Sequence, residues 1–158
     1  MAIRLETRSG VGPLSARGTA TPVTVLLVSP NDNDLLRLSQ IFEHTNWILQ
    51  RARSYAEATE LLRGRPVGVL VTEAELPEGR TWLDLMEFAA RSGNARIVVM
   101  ASLKDDPLWA QVINLGGYDV LMKPFDRVEV VRVLSLAWMN WREATRNGSR
   151  DQGKQTAH

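Results

Sequence analysis

Between Val23 and Trp141, short apolar runs alternate five times with stretches whose apolar residues recur at helical spacing. Val23 to Val28, Val67 to Thr72, Ile97 to Met100 and Val120 to Met122 have strand length, and Trp47 to Ala52 is a weaker strand. Strands that are apolar on both faces belong inside a parallel sheet covered by helices. After the first strand, Leu35, Leu38 and Phe42 fall on one helical face. Ser54 to Glu57 is a capping box opening a helix that Gly64 closes. Thr81 to Asp84 caps a helix carrying Leu83, Leu85, Met86 and Phe88. Asp106-Pro107 places a cap and a first-turn proline before Trp109, Val112 and Ile113, and Asp126 with Glu129 opens the last and longest helix. The expected class is α/β, a doubly wound five-stranded parallel sheet flanked by five helices.

A chain of 158 residues supports one core of ordinary size. Gly, Pro, Ser and Thr crowd Ser9 to Pro22 without periodicity, so residues 1–22 are expected to be a disordered leader. The domain proper is assigned to 23–142, and 143–158 to the end of the last helix and a flexible tail. Arg4, Arg8 and Arg17 against Glu6 make the leader net +2. Arg146, Arg150 and Lys154 against Glu143 and Asp151 make the tail net +1, leaving −2 between them. Such a core offers no basic field for nucleic acid. No apolar run approaches the roughly 20 residues of a membrane span, so no membrane is expected and a cytoplasmic location is. There is no cysteine, and the two histidines, His44 and His158, lie in a helical pattern and at the last position. Disulfides, thiolate metal sites and histidine catalysis are therefore set aside.

In open parallel sheets, ligands bind beyond the carboxyl ends of the strands. Here those ends are Ser29-Pro30-Asn31-Asp32, Glu73-Ala74-Glu75-Leu76-Pro77, Ala101-Ser102 and Lys123-Pro124. The run Leu115-Gly116-Gly117-Tyr118-Asp119-Val120-Leu121-Met122-Lys123-Pro124-Phe125, with Leu76-Pro77 upstream, closely resembles a response-regulator receiver domain over about Val23 to Trp141. The resemblance implies the flavodoxin-like receiver fold. It also implies an acidic metal-binding pair after the first strand, an acceptor aspartate after the third, a Ser or Thr after the fourth and a lysine after the fifth. Those roles fall on Ser29 and Pro30, Glu73, Ala101 and Lys123, so only the lysine is kept. The expected protein is an atypical, pseudo-receiver form of the family.

Magnesium wants oxygen ligands, and Ser29 offers one neutral oxygen while Pro30 offers none, so binding is expected to be weak or absent and no cofactor is assigned. Glu73 carries its carboxylate one methylene further out than aspartate, which displaces a nucleophilic oxygen from near-attack geometry. Ala101 cannot donate to a phosphoryl oxygen; Ser102 replaces it only if the strand end slips by one residue. Lys123 is expected to pair with Glu73, the alternative being a solvated lysine beside a Pro124 whose cis bond shapes the loop. Glu73 has a second reading as a standing mimic of a phosphorylated aspartate. Val120 takes the place of the family's aromatic switch. Asp32 and Asp34 are assigned mainly to the helix N-terminus and otherwise to substitute metal ligation. The Glu75 and Glu78 pair is assigned to a solvated loop.

On the last helix, Val130, Leu134, Ala137 and Trp141 form one stripe that Val131 and Trp138 widen. Trp109, Val131, Trp138 and Trp141 make the expected partner surface, set against core packing for Trp138 and, more strongly, for Val130 and Leu134. The overall expectation is a non-enzymatic receiver-like domain without an output domain, acting by phosphorylation-independent protein-protein interaction in phosphorelay-type signalling. Its partner would be a histidine kinase or an effector, with a homodimer through the last two helices as a further form. The alternatives are a phosphorylatable receiver with a relocated acceptor and a small-molecule sensor using the vacated pocket.

Overall fold

The computed structural model describes residues 3–6, 22–102 and 106–156, with side chains described for 22–102 and 107–148. The elements are β1 (Ile3–Glu6), β2 (Thr24–Val28), α1 (Asp32–Phe42), β3 (Ile48–Ala52), α2 (Tyr55–Gly64), β4 (Val69–Glu73), α3 (Trp82–Arg91), β5 (Arg96–Ala101), α4 (Asp106–Asn114), β6 (Asp119–Met122) and α5 (Arg127–Thr156). The sheet order is β1-β3-β2-β4-β5-β6. The last five strands are parallel and β1 is antiparallel on the β3 edge.

Side chains alternate across each strand, and this divides the core into two layers. Val25, Leu27, Leu49, Val71 and Val98 pack with Leu38, Ile41 and Phe42 of α1 and with Val130, Val133, Leu134 and Ala137 of α5. Leu26, Val28, Leu70, Ile97 and Val99 pack with Ala58 and Leu62 of α2, Trp82, Leu85 and Ala89 of α3, and Val112 of α4. The five parallel strands and five helices are thus the doubly wound arrangement expected from the alternation.

Two expected boundaries need correction. Ile3–Glu6 forms a strand within the segment expected to be a disordered leader, pairing Ile3 with Arg51 and Glu6 with Ile48. Its alternation of apolar and charged residues is a strand pattern, and β3 would otherwise present an open edge. Residues 1–2 and 7–21 of the leader lie outside the described residues. At the other end, α5 runs to Thr156 although the tail was expected to be irregular from Asn147. Gly148 and Gly153 weaken a helix by about 1 kcal/mol each but do not end it, and no proline intervenes.

Local caps fix where the helices begin. Asn31, not Asp32 or Asp34, caps α1 by accepting the Asn33 N–H at 2.9 Å. The Ser54 hydroxyl accepts the Glu57 N–H at 3.3 Å, while Thr81 and Asp84 form a reciprocal capping box. Each such cap contributes about 0.5–2 kcal/mol. Gly117 brings α4 onto β6: a Cβ there would stand 2.9 Å from the Val112 carbonyl oxygen. The strand order reverses between β2 and β4, which opens the functional crevice beyond Val28 and Glu73.

Candidate functional site

The carboxyl ends of β2, β4 and β6 deliver Ser29, Glu73 and Lys123, and the first turn of α1 adds Asp34. The Lys123 ammonium lies 2.5 Å from Glu73 Oε1 and 3.0 Å from Asp34 Oδ2. Asp34 Oδ2 also accepts the Ser29 hydroxyl at 2.8 Å, and that hydroxyl accepts the Asn31 N–H at 3.0 Å. Ser29 and Asp34 are buried; the side chains of Lys123 and Glu73 keep 18 % and 25 % of their exposure. The result is one continuous polar network in which a single cation joins two carboxylates.

The environment shifts both ends of the pair upward. Burial raises the Glu73 carboxyl above its ordinary value, opposed by the Lys123 hydrogen bond and reinforced by Asp34. Burial works against the charged Lys123 ammonium, but hydrogen bonds and charge from Glu73 and Asp34 outweigh it and raise its pKa. The network therefore keeps its lysine charged throughout the neutral range.

A second cation holds the loop after β2 from the other side. Arg51 on β3 is wholly buried, donates from Nε to the Ser29 carbonyl at 3.0 Å and lies 2.9 Å from Asp32 Oδ1. Arg53 Nη2 meets the same Asp32 oxygen at 3.0 Å. The Arg51 hydrogen bond, then the Arg53 charge, hold the Asp32 carboxyl below the usual carboxylate range. Asp32 thus stands away from Lys123, on an exposed corner, while Asp34 turns inward.

The other residues singled out from sequence scatter around this cluster. Pro30 is exposed, and the Lys123-Pro124 bond is cis. Ala101 is buried at the end of β5, where its carbonyl accepts the Lys123 N–H at 2.7 Å, and Ser102 is exposed. Val120 is buried against the α2–α4 layer. Beyond Glu73, a cavity of about 730 Å³ is bordered by Thr81, Trp82, Met100, Ala101 and Ser102.

The expected partner surface is only partly exposed. Trp138 is 8 % exposed within the α1–α5 layer, which corrects its assignment to the surface, while Trp141 and Val131 are partly buried against that layer. Trp141 is further held by its indole N–H, which donates to the Gly93 carbonyl at 2.8 Å. Trp109 is exposed, as are Ile113 near it on α4 and Val128, Leu136 and Met139 on α5.

Sequence reasoning reached Ser29, Glu73 and Lys123 but missed the part played by Asp34 and Arg51. A charged residue at an inward position of a strand was the available signal for Arg51. For Asp34 it was a second acidic residue in the first turn of a helix whose N-terminus Asn31 already caps.

Residues 25–135 match the family model of the response regulator receiver domain. The chain belongs to that family. It is 30% identical over 112 residues to the photosynthetic apparatus regulatory protein RegA of Cereibacter sphaeroides, covering 70% of this chain and 60% of that protein. It is likewise 30% identical over 128 residues to the transcriptional regulatory protein FixJ of Azorhizobium caulinodans, covering 79% of this chain and 56% of that protein. The chain thus spans somewhat under two thirds of the length of these curated relatives. Among solved structures, the signal receiver domain of an HD domain-containing protein from Pseudomonas fluorescens superposes with a TM-score of 0.72 at 27% identity, covering 82% of this chain and 96% of that one. A CheY-like receiver from Methanospirillum hungatei superposes at 0.67 with 13% identity, covering 78% and 99%, a likeness of fold alone.

Receiver domains of response regulators are signalling domains, and response regulators exchange signals with histidine kinases and effectors. The magnesium that the family implies does not fit this donor set. Asp34 and Glu73 both face the Lys123 ammonium, Ser29 supplies a neutral oxygen, and Pro30 supplies no side-chain donor. No group of three acidic, histidine or cysteine side chains placed to hold a metal occurs among the described residues. A divalent ion would have to displace the lysine from both carboxylates.

Proposed function

We propose that this domain is an atypical receiver that signals by phosphorylation-independent protein-protein contact, with Lys123 standing in for the metal and phosphoryl group as the organiser of its charged edge. The observation that carries this reading is the Lys123 ammonium within hydrogen-bond distance of both Glu73 and Asp34. A carboxylate so engaged is paired with its lysine through Oε1. Glu73 is one methylene longer than the aspartate the family uses, and a donor aligned as Ala101 offers no hydroxyl. Val120 has no aromatic ring to swing between positions.

The domain would act without catalysis, in a cytoplasmic phosphorelay, by presenting a fixed surface to a histidine kinase or an effector. Trp109 and Ile113 on α4 and Val128, Leu136 and Met139 on α5 are its exposed apolar residues for such a partner or a second copy. The Glu73 contact with Lys123 also supports the reading of Glu73 as a standing phosphoaspartate mimic, since a phosphoryl group on the acceptor would seek the same lysine. The cavity beside Glu73 supports a second reading, a small-molecule sensor.

Intact-mass spectrometry after incubation with magnesium and an acyl phosphate tests the proposal. No phosphoryl adduct on the unaltered protein is expected. An adduct there would overturn it in favour of a relocated acceptor, and an adduct on Glu73→Asp alone would locate the lesion at that residue.

A further inference from the structure

Arginine is among the residues least often wholly buried, yet Arg51 has no exposure although β3 would otherwise be the edge of the parallel sheet. Beyond β3 lies β1, paired antiparallel with Ile3 opposite Arg51 and Leu5 opposite Leu49. The four residues of β1 thus stand between the outer side of β3 and water.

From Arg51, contacts run without a break to the charged edge. Its Nε donates to the Ser29 carbonyl at 3.0 Å and its Nη1 lies 2.9 Å from Asp32 Oδ1, so it holds both ends of the turn into α1. The Ser29 hydroxyl donates to Asp34 Oδ2 at 2.8 Å, and the same oxygen meets Lys123 at 3.0 Å. Such a grip holds well only away from water, which screens charge and competes for the carbonyl. We propose that β1 is a detachable clamp on this edge. Docked, it keeps Arg51 out of water and fixes the geometry of Ser29, Asp34 and Lys123; released, it lets that loop loosen. Two observations make the clamp releasable. β1 is a four-residue strand paired on one side alone, the kind of element that opens at low free energy. Docking also leaves Arg51 Nη2 buried without a hydrogen-bond partner, a cost that release relieves. The clamp supplies a regulation for the charged edge and rests on the reading of that edge as the one that signals.

Amide hydrogen exchange of the full chain, followed by two-dimensional NMR, tests it. Successive N–H groups of a strand point to opposite sides, so in a double variant with Arg4→Pro and Leu5→Pro one proline must remove a donor from the ladder with β3. The β3 amides should then exchange faster. The Asn31 amide, held by the Ser29 hydroxyl, should follow by at least about ten-fold, with Val99 on β5 and Leu121 on β6 unmoved. Arg51→Met separates positioning from simple stability. It removes the grip on the loop together with the unpaired buried donor, so the Asn31 amide should exchange at least about ten-fold faster while the β3 amides exchange no faster. Release of β1 without change at Asn31, or an Asn31 amide unmoved in Arg51→Met, would overturn the proposal. Uniform acceleration that includes Val99 and Leu121 would overturn it too, as a general loss of stability. Each variant is decisive alone if the other fails to fold. None of these outcomes depends on whether Glu73 takes up a phosphoryl group, which the mass measurement decides separately.

Discussion

The two edges of the sheet solve opposite problems. At the carboxyl edge, Ser29, Asp34, Glu73 and Lys123 bring charge into a partly buried space, and each group is answered by another at 2.5–3.0 Å. At the amino edge, Trp138 and Trp141 bring bulk, and the answer is the missing side chain of Gly68. Charge tolerates no missing partner, because the remaining group stays buried and unpaired. Bulk tolerates no extra atom, because a close-packed interior has nowhere to put it. The domain is therefore fragile to deletion at one edge and to both deletion and insertion at the other.

Trp138→Ala should be the more damaging change. Removing a buried indole from the α1–α5 layer costs about 3–5 kcal/mol, and chemical denaturation of the full chain measures it. A loss below about 1 kcal/mol would return Trp138 to the surface and dissolve the contrast between the edges.

Lys123→Ala comes next, at roughly 2–4 kcal/mol, below the cost of breaking a wholly buried pair because both partners keep some solvent. The Asp34 and Glu73 carboxylates would then face each other without a cation. Adding Glu73→Gln to Lys123→Ala should recover part of the loss, and a double-mutant cycle reads the coupling. Strict additivity would mean that the contact seen between them does not matter to stability.

The carboxyl edge was the easier to read because its chemistry is local. A lysine followed by proline after an apolar strand, and a glutamate at the end of another, announce themselves in a few residues each. Asp34 was harder, since an acidic residue in a first helical turn has a sufficient local explanation in the helix dipole, and only the fold reveals that it turns toward Lys123. Arg51 reads as a break in an apolar strand until Asp32 and the Ser29 carbonyl are brought to it. At the amino edge the sequence pattern was ambiguous in principle. A tryptophan that widens an apolar stripe serves a partner or a core equally well, and the deciding fact is a glycine seventy positions earlier in the chain. The strand at Ile3–Glu6 was hidden for a similar reason: four alternating residues mean little until an open edge lies beside them.

The smallest effect is the most specific to the charged network, because it depends on the direction of two titrations. Lys123 has a raised pKa in the folded protein, so its stabilising contribution is complete below the ordinary lysine value near 10.5 and is lost as pH rises through the higher folded value. The stability difference between the unaltered protein and Lys123→Met should stay level from neutral pH to about pH 10 and shrink above 10.5. Glu73 also has a raised pKa, so its proton is held more tightly in the folded state. The folded protein should lose stability relative to Glu73→Gln as pH climbs from the ordinary value of 4.5 through the folded one, the reverse of a carboxylate whose pairing outweighs its burial. Thermal melts of the three proteins across pH 4 to 11 separate these limbs. If the Glu73→Gln comparison moved the other way, with the unaltered protein gaining stability over that acid range, pairing with Lys123 would outweigh burial. The carboxyl edge would then be held by attraction alone, rather than by attraction working against the cost of removing charge from water.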